Sequence, residues 1–170
     1  AAALCAKAKG AITTMFSEAR MGKAVSAESM QPLVEEISSS VARNPGALIS
    51  LARLKSQDDY TFMHSVAVCG LMIALGRQLG LNEDEIREAG MAGLVHDLGK
   101  AMVSLEILNK PGKLTDAEFN EMKAHPRYGY DMLLEGQGVG EIPLDVALHH
   151  HEKVDGSGYR TRLKVKEPSQ

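Results

Sequence analysis

The sequence lacks the overall positive charge, the cysteine pattern and the long apolar run that would assign it to several common protein classes. Its formal net charge is -3, so the chain as a whole does not attract nucleic acid polymers or anionic membranes. Its two cysteines, Cys5 and Cys69, form no C-x-x-C pair and predict reduced thiols in a cytoplasmic protein. No run of about 18 apolar residues occurs, which predicts that no segment spans a membrane.

Alternation of apolar and polar residues, the pattern typical of strands, is also absent, as are internal repeats. Apolar residues instead recur three and four positions apart, which predicts helices with one buried stripe. One such stripe consists of Met30, Leu33, Val34, Ile37 and Val41. Helices are predicted at about 3–21, 26–43, 48–54, 59–79, 82–97, 115–125, 126–135 and 143–151. The sequence therefore predicts an all-α fold.

Several of the predicted helices begin with capping sequences. Asn82 with Glu85, and Thr115 with Glu118, match the capping box, in which the two residues satisfy each other's backbone N–H groups. Asp59 is expected to cap the helix that follows it.

Two glycines lie inside the predicted helix 82–97. Gly90 and Gly93 each cost roughly 1 kcal/mol of helix stability relative to alanine. Close approach of a neighbouring helix explains their presence, and the helix that carries His64 is the expected neighbour. His64 is predicted to point inward together with the apolar residues Ala67, Val68, Leu71 and Leu75.

All six histidines fall at inward or terminal positions of successive predicted helices: His64, His96, His125, His149, His150 and His151. Each of them alone has a plainer interpretation, as a core residue, a helix cap or part of a solvated run. Taken together, with one of them beside Asp97, they favour a metal site, because imidazole and carboxylate are the usual ligands of Fe, Mn and Zn.

The spacing also suggests how the ligands divide. Asp97 is the natural bridge between two metals because a carboxylate has two oxygens, with His96 and His64 at one metal. His125 and two adjacent histidines of 149–151 are placed to complete a second site. Two ions roughly 3.5–4 Å apart polarise a phosphoryl group and activate water. Lys100 is placed to meet a phosphate oxygen, and an ordinary solvated lysine is the alternative.

Four segments carry a family resemblance: His96-Asp97-Leu98-Gly99-Lys100, residues 109–115, His125-Pro126, and His150-His151-Glu152 followed by Asp155-Gly156-Ser157-Gly158-Tyr159. Together they resemble the HD-GYP family, the bacterial branch of the HD superfamily that hydrolyses cyclic di-GMP. The His-Asp pair alone would indicate only an HD phosphohydrolase, whereas its combination with the last segment is more specific. The resemblance covers most of the chain from about residue 20 and implies an HD-superfamily helical bundle.

The resemblance implies a set of site residues. The implied metal ligands are His64, His96, Asp97, His125, His150 and His151, and the implied catalytic residues are Asp97 and Lys100. His149 is then a bystander. Members with three metals carry a carboxylate one helical turn before the first histidine, a place that Tyr60 occupies here. Two divalent transition-metal ions are therefore expected, Fe or Mn, with Ni, Co and Zn as alternatives.

Two departures from the family pattern bear on function. The chain reads Gly158-Tyr159-Arg160 where the family has Gly-Tyr-Pro, in a loop expected to govern partner contacts and substrate access. The family also has a further aspartate ligand and basic residues downstream, which this sequence does not contain. We therefore expect a single HD-GYP-like domain over 1–170 that is C-terminally incomplete, with N-terminal helices over about 1–44 and an HD core over 45–170.

The resemblance implies a metal-dependent phosphodiesterase that hydrolyses cyclic di-GMP to pGpG, GMP or both, by a hydroxide that the two metals activate. The alternatives are another HD nucleotide phosphohydrolase and a degenerate regulatory module that binds without turnover. The implied partners are the cyclic dinucleotide and GGDEF or other signalling-domain proteins, and a homodimer stays open. Neither a nucleic acid polymer nor a membrane is expected as a partner.

Overall fold

A computed structural model describes residues 2–44, 46 and 60–159 of the chain. In this part of the chain the α-helices are α1 (Ala2–Arg20), α2 (Gln31–Arg43), α3 (Tyr60–Gln78), α4 (Glu83–Val95), α5 (Leu105–Leu108), α6 (Asp116–Met122), α7 (His125–Glu135) and α8 (Glu141–His149). Short 3-10 helices occupy Glu28–Met30 and Leu98–Met102. Among the described residues, pairing of the β type is limited to one isolated bridge between Ser26 and Gln137. The predicted all-α fold is confirmed.

Helices α3 and α4 pack closely along each other, and the two glycines of α4 make this possible. A Cβ atom on Gly93 would lie 2.9 Å from the backbone of Cys69 in α3. A Cβ atom on Gly90 would lie 2.9 Å from the side chain of Ile73, also in α3. Real Cβ atoms do not approach their neighbours so closely, so glycine fits where larger residues would force the helices apart. The prediction that Gly90 and Gly93 admit the helix carrying His64 is confirmed.

One apolar core joins the N-terminal helices to the helices that carry the histidines. Fully buried members come from several helices, including Ile12 of α1, Ile37 of α2, Ile73 of α3, Leu94 of α4 and Leu133 of α7. Helix α1 contacts α3 and the 3-10 helix Leu98–Met102, and α2 contacts α3 and α4. The first two helices therefore support the elements around the His-Asp pair. The predicted domain boundaries stay a prediction.

The predicted inward face of α3 is wrong in part. Ala67 is buried as expected, but Leu71 and Leu75 are 45% and 55% exposed. Besides Ala67, the apolar residues that α3 buries are Met63, Val66, Cys69 and Ile73. Because α3 carries apolar residues on all sides, their spacing does not single out one face, and the contacts with neighbouring helices decide which face is buried.

Local capping follows the sequence closely. The Asn82 side chain accepts a hydrogen bond from the Glu85 backbone N–H at 3.0 Å, and Glu85 Oε2 accepts one from the Asn82 N–H at 2.9 Å. Thr115 and Glu118 form the same reciprocal pair at the start of α6. Both predicted capping boxes are confirmed, because each depends only on residues within one turn.

The second helix begins later than predicted. The Ser26 hydroxyl oxygen accepts a hydrogen bond from the Ser29 backbone N–H at 3.3 Å, just before the 3-10 helix Glu28–Met30, whose N-cap residue is Ala27. Helix α2 then starts at Gln31, with Pro32 in its first turn. The predicted helix at about 48–54 and the predicted cap at Asp59 lie outside the described residues.

Helix α3 also bears on the question of membrane spans. It is the one helix in the described part of the chain that is long and apolar enough to cross a membrane, with a mean hydropathy of 1.2. In the structure 44% of that stretch is buried against the rest of the chain, and a core helix meets the same criterion. That no segment spans a membrane stays a prediction.

Candidate metal centre

The predicted site residues lie on separate elements and meet in one place. His64 is in the second turn of α3, His96 and Asp97 join α4 to the 3-10 helix Leu98–Met102, His125 begins α7, and His150 and His151 follow α8. They form two groups. One group is Asp97, His125, His150 and His151, and the other is His64, His96 and Asp97. Within each group the potential ligand atoms all lie within 4.8 Å of one another. Asp97 belongs to both groups, which is the division expected for two metals that share one carboxylate.

Three of the imidazoles are oriented by hydrogen bonds to backbone carbonyl oxygens three or four residues earlier. The Nδ1 atom donates at 2.8 Å in His96, at 2.7 Å in His125 and at 3.1 Å in His150. Because a carbonyl oxygen only accepts, Nδ1 must carry the proton in each ring. In the neutral ring, Nε2 therefore presents a lone pair, and in all three residues Nε2 lies on the side of Asp97.

The arrangement of these lone pairs fits a metal centre. His125 Nε2 and His150 Nε2 are 3.1 Å apart, a distance at which two lone pairs repel unless a proton or a metal ion lies between them. Asp97 Oδ1 is 3.3 Å and 3.5 Å from these two nitrogens. It is buried and has no hydrogen-bond partner in the described part of the chain. Converging imidazole lone pairs beside an unsatisfied buried carboxylate oxygen suit a transition-metal ion.

The surroundings also keep the candidate ligands in the protonation states that metals require. Burial raises the pKa of the Asp97 carboxyl, but the imidazoles of His125, His150 and His96, when their Nε2 atoms carry protons in the absence of metal, outweigh burial and hold the pKa well below its usual range. Burial, together with the neighbouring His150 and His125, lowers the pKa of His151 to about 4. Near neutral pH, Asp97 is therefore a carboxylate and His151 is uncharged, and both can donate electron pairs.

The two remaining polar residues of the prediction differ in their placement. Lys100 Nζ lies 2.7 Å from Asp97 Oδ2, and its side chain is 21% exposed. It is therefore an ion-pair partner of the shared carboxylate at the edge of the site. The alternative interpretation, an ordinary solvated lysine, does not describe it. His149 belongs to neither group and bonds instead to Asp145, with 2.9 Å between Nδ1 and Oδ1.

A glycine with no predicted role brings the two halves of the centre together. A Cβ atom on Gly99 would lie 1.8 Å from the carbonyl oxygen of His125 and 2.4 Å from the backbone nitrogen of Gly129. The 3-10 helix that contains Gly99 is thus in direct backbone contact with α7, and this contact sets Asp97 beside His125. The signal available in the sequence was the glycine two positions after Asp97.

The loop after α8 folds back onto the centre. The ring of Tyr159 stacks on that of His151, with centroids 4.2 Å apart and an interplanar angle of 17°. The Tyr159 ring also meets the ring of Phe119 edge to face. Gly158 permits this course, because a Cβ atom there would lie 2.5 Å from the Cα of Glu152. The sequence pattern did not assign Tyr159 to the centre, although the Gly-Tyr pair was the available signal.

The centre opens into a cleft of about 400 Å³. Its walls include Tyr60, His64 and Lys100 together with residues of both ligand groups. Tyr60 is 58% exposed and stacks on His64, with centroids 5.9 Å apart and an interplanar angle of 5°. A phosphate ester can therefore reach the candidate ligands from solvent.

Proteins similar to this chain have names that refer to cyclic dinucleotides. The chain is 57% identical over 159 residues to a cyclic di-GMP phosphodiesterase of Pseudomonas aeruginosa, covering 94% of this chain and 38% of the relative. It is 48% identical over 96 residues to the cyclic di-GMP phosphodiesterase response regulator RpfG of Xanthomonas campestris, covering 54% and 24%. It is 38% identical over 121 residues to 3′3′-cGAMP-specific phosphodiesterase 1 of Vibrio cholerae, covering 69% and 27%. The chain thus spans well under half the length of each of these relatives.

A family model described as HD domain matches residues 35–169 of the chain. The matched region contains Asp97 and every histidine of the sequence. It also contains both groups of candidate metal ligands, and the His-Asp pair lies where the two groups meet. As the resemblance predicted, the chain belongs to the HD domain family.

Proposed function

We propose that this chain is the catalytic domain of a metal-dependent phosphodiesterase that hydrolyses cyclic di-GMP to pGpG, GMP or both. The observation that carries the proposal is the pair of ligand groups that share the buried Asp97 carboxylate. Two metal ions held in this way are suited to the hydrolysis of phosphate esters. The names of the relatives support a cyclic dinucleotide as substrate, and most of those reported above refer to cyclic di-GMP.

The proposed cofactors are two divalent transition-metal ions, Fe or Mn, with Ni, Co and Zn as alternatives. The group that contains His125 would hold one ion, the group that contains His64 would hold the other, and Asp97 would bridge them. When bound, the ions supply Lewis-acid chemistry, because they polarise a phosphoryl group and lower the pKa of water. A donor set of imidazoles and one carboxylate accepts all of these metals.

The chain's own residues orient the ligands and the substrate. The carbonyl groups that accept the Nδ1 protons of His96, His125 and His150 fix the orientation of these rings and raise the basicity of Nε2. Stacking of Tyr159 restrains the ring of His151. Lys100 lies at the edge of the cleft beside the shared carboxylate. Its ammonium group is placed to contact a phosphate oxygen of the substrate.

Metal content tests the assignment of ligands. The protein is expected to bind two ions per chain, and His150→Ala is expected to weaken metal binding by at least about 100-fold, because the substitution removes a donor atom outright. Elemental analysis and competition with a chelator measure both quantities. His149→Ala is the matched control, since this neighbouring imidazole bonds to Asp145. Equal metal loss in the two variants would contradict the assignment.

Turnover tests the activity. Protein loaded with Mn or Fe is expected to convert cyclic di-GMP to pGpG or GMP, and chromatography of the products distinguishes the two. A chelator should abolish the reaction, and added metal should restore it. Binding of cyclic di-GMP by the metal-loaded protein without turnover would overturn the enzymatic proposal in favour of a regulatory module. Hydrolysis of other nucleotides but not of cyclic di-GMP would favour a different HD phosphohydrolase.

The proposal includes a cytoplasmic location. Cys5 and Cys69 are both free and buried, as expected of a protein from a reducing compartment. Burial raises the pKa of both thiols, which keeps them protonated and unreactive. Contacts with GGDEF or other signalling-domain proteins and a homodimer stay predictions that rest on the family resemblance.

A further inference from the structure

A second cavity lies next to the metal centre, with Lys100 between the two. This cavity, of about 310 Å³, is lined by Phe16, Arg20, Phe62, Lys100, Leu105 and Leu108, together with shorter polar side chains, and is called the Arg20 cavity below. Lys100 also lines the cleft of the metal centre. Phe16 and Arg20 belong to α1, which lies upstream of the region matched by the HD domain model.

Much of the wall of the Arg20 cavity is apolar. The rings of Phe16 and Phe62 meet edge to face, with centroids 5.4 Å apart and an interplanar angle of 88°. Leu105 and Leu108 of α5 add aliphatic surface. A flat heteroaromatic ring gains from packing on such a wall. A phosphate group would lose its hydration there and would be compensated only at Arg20 and Lys100, of which Lys100 is already paired with Asp97. The chemistry of the wall therefore suits a nucleobase better than a second phosphate.

One guanidinium group is fixed at this cavity. Arg20 Nη2 donates a hydrogen bond to the carbonyl oxygen of Val103 at 3.2 Å, which anchors the last turn of α1 to the end of the 3-10 helix Leu98–Met102. Within the described part of the chain, no acidic side chain forms an ion pair with Arg20. Guanine presents two acceptors, O6 and N7, that match the fork of a guanidinium, whereas adenine presents an amino group in place of O6.

We propose that the Arg20 cavity binds one guanine base of a cyclic dinucleotide and that Arg20 selects guanine over adenine. This inference rests on the proposed function and adds to it the residue that recognises the base. In a nucleotide only the sugar separates base from phosphate, so a base cavity must adjoin the phosphate site, and here the two share Lys100. A volume near the lower end of the range for ligand pockets, roughly 300 Å³ upward, suits one base.

The test compares Arg20→Met with Arg43→Met in the full, metal-loaded chain. Arg43 is the matched control because it is also an exposed arginine in the last turn of a helix. Calorimetry gives the affinity for cyclic di-GMP, 3′3′-cGAMP and cyclic di-AMP, and kcat/KM is measured for these and for bis(p-nitrophenyl) phosphate, which has no base. Arg20→Met is expected to lower affinity and kcat/KM for cyclic di-GMP by about 10- to 100-fold.

The other substrates give the contrast. Since one guanine suffices, 3′3′-cGAMP should follow cyclic di-GMP, whereas values for cyclic di-AMP and bis(p-nitrophenyl) phosphate should stay within about twofold. Arg43→Met should match the wild type throughout. An unchanged response to cyclic di-GMP in Arg20→Met, or an equal loss with all four substrates, would overturn the inference while leaving hydrolysis by the wild type intact. Arg20-dependent binding of cyclic di-GMP without hydrolysis would support the inference and refute the proposed function.

Discussion

Replacing Asp97 with asparagine is expected to lower kcat/KM for cyclic di-GMP by about 1,000-fold or more. Asp97 is the one residue common to both ligand groups, so a single substitution affects both proposed metal positions. Asparagine keeps the size of the side chain but removes the negative charge that faces three imidazoles and Lys100. We expect fewer than two ions per chain by elemental analysis, with a helical circular dichroism spectrum like that of the wild type.

Asp145→Asn is the matched control for this experiment. Asp145 also contacts an imidazole, that of His149, but its carboxylate is largely exposed and lies outside both ligand groups. Its replacement should leave metal content and turnover within about twofold of the wild type. Retention of two ions and of near wild-type turnover in Asp97→Asn would contradict the shared-carboxylate centre.

Replacing Gly99 with alanine is expected to destabilise the protein by about 3 kcal/mol and to reduce metal binding. The added Cβ atom would overlap the carbonyl oxygen of His125 and the backbone nitrogen of Gly129, and a backbone cannot move aside as a flexible side chain can. The 3-10 helix would have to separate from α7, which would move Asp97 away from His125. Denaturant unfolding measures the loss of stability, and metal titration of the folded variant measures the loss of affinity.

Gly10→Ala is the control for the Gly99 substitution. Gly10 lies in the middle of α1, and a Cβ atom there would meet nothing within 4 Å. Alanine should therefore stabilise α1 by about 0.5–1 kcal/mol through helix propensity alone. If Gly99→Ala were as stable as the wild type and bound metal equally well, the backbone contact between the 3-10 helix and α7 would not be what positions the two ligands.

Features that depend on neighbouring residues could be predicted from the sequence. Asn82 with Glu85 and Thr115 with Glu118 form the expected capping boxes, since the atoms involved lie within one helical turn. The close approach of a neighbouring helix at Gly93 could also be predicted, because a glycine in a helix interior costs stability that close packing can offset. The candidate ligands could be chosen because imidazole and carboxylate are rare at buried positions without a partner.

Other features depend on how distant helices cross, and no local pattern contains that information. The spacing in α3 favoured Leu71 and Leu75 as inward residues, yet both are exposed, because a helix that is apolar on all sides acquires its buried face only from its neighbours. Likewise, Tyr159 stacks on His151 only because the loop after α8 turns back toward the centre.

The sequence by itself determined the all-α class, most helix ends and the identity of the side chains that gather at the candidate centre. The tertiary structure alone decided which carbonyl groups orient the imidazole rings, that Tyr159 stacks on His151, and that Arg20 of α1 lies at a cavity beside Lys100. The physical reason is the range of the interactions. Caps and helix propensity act within a few residues, whereas ligand geometry and cavities arise from the packing of helices far apart in the chain.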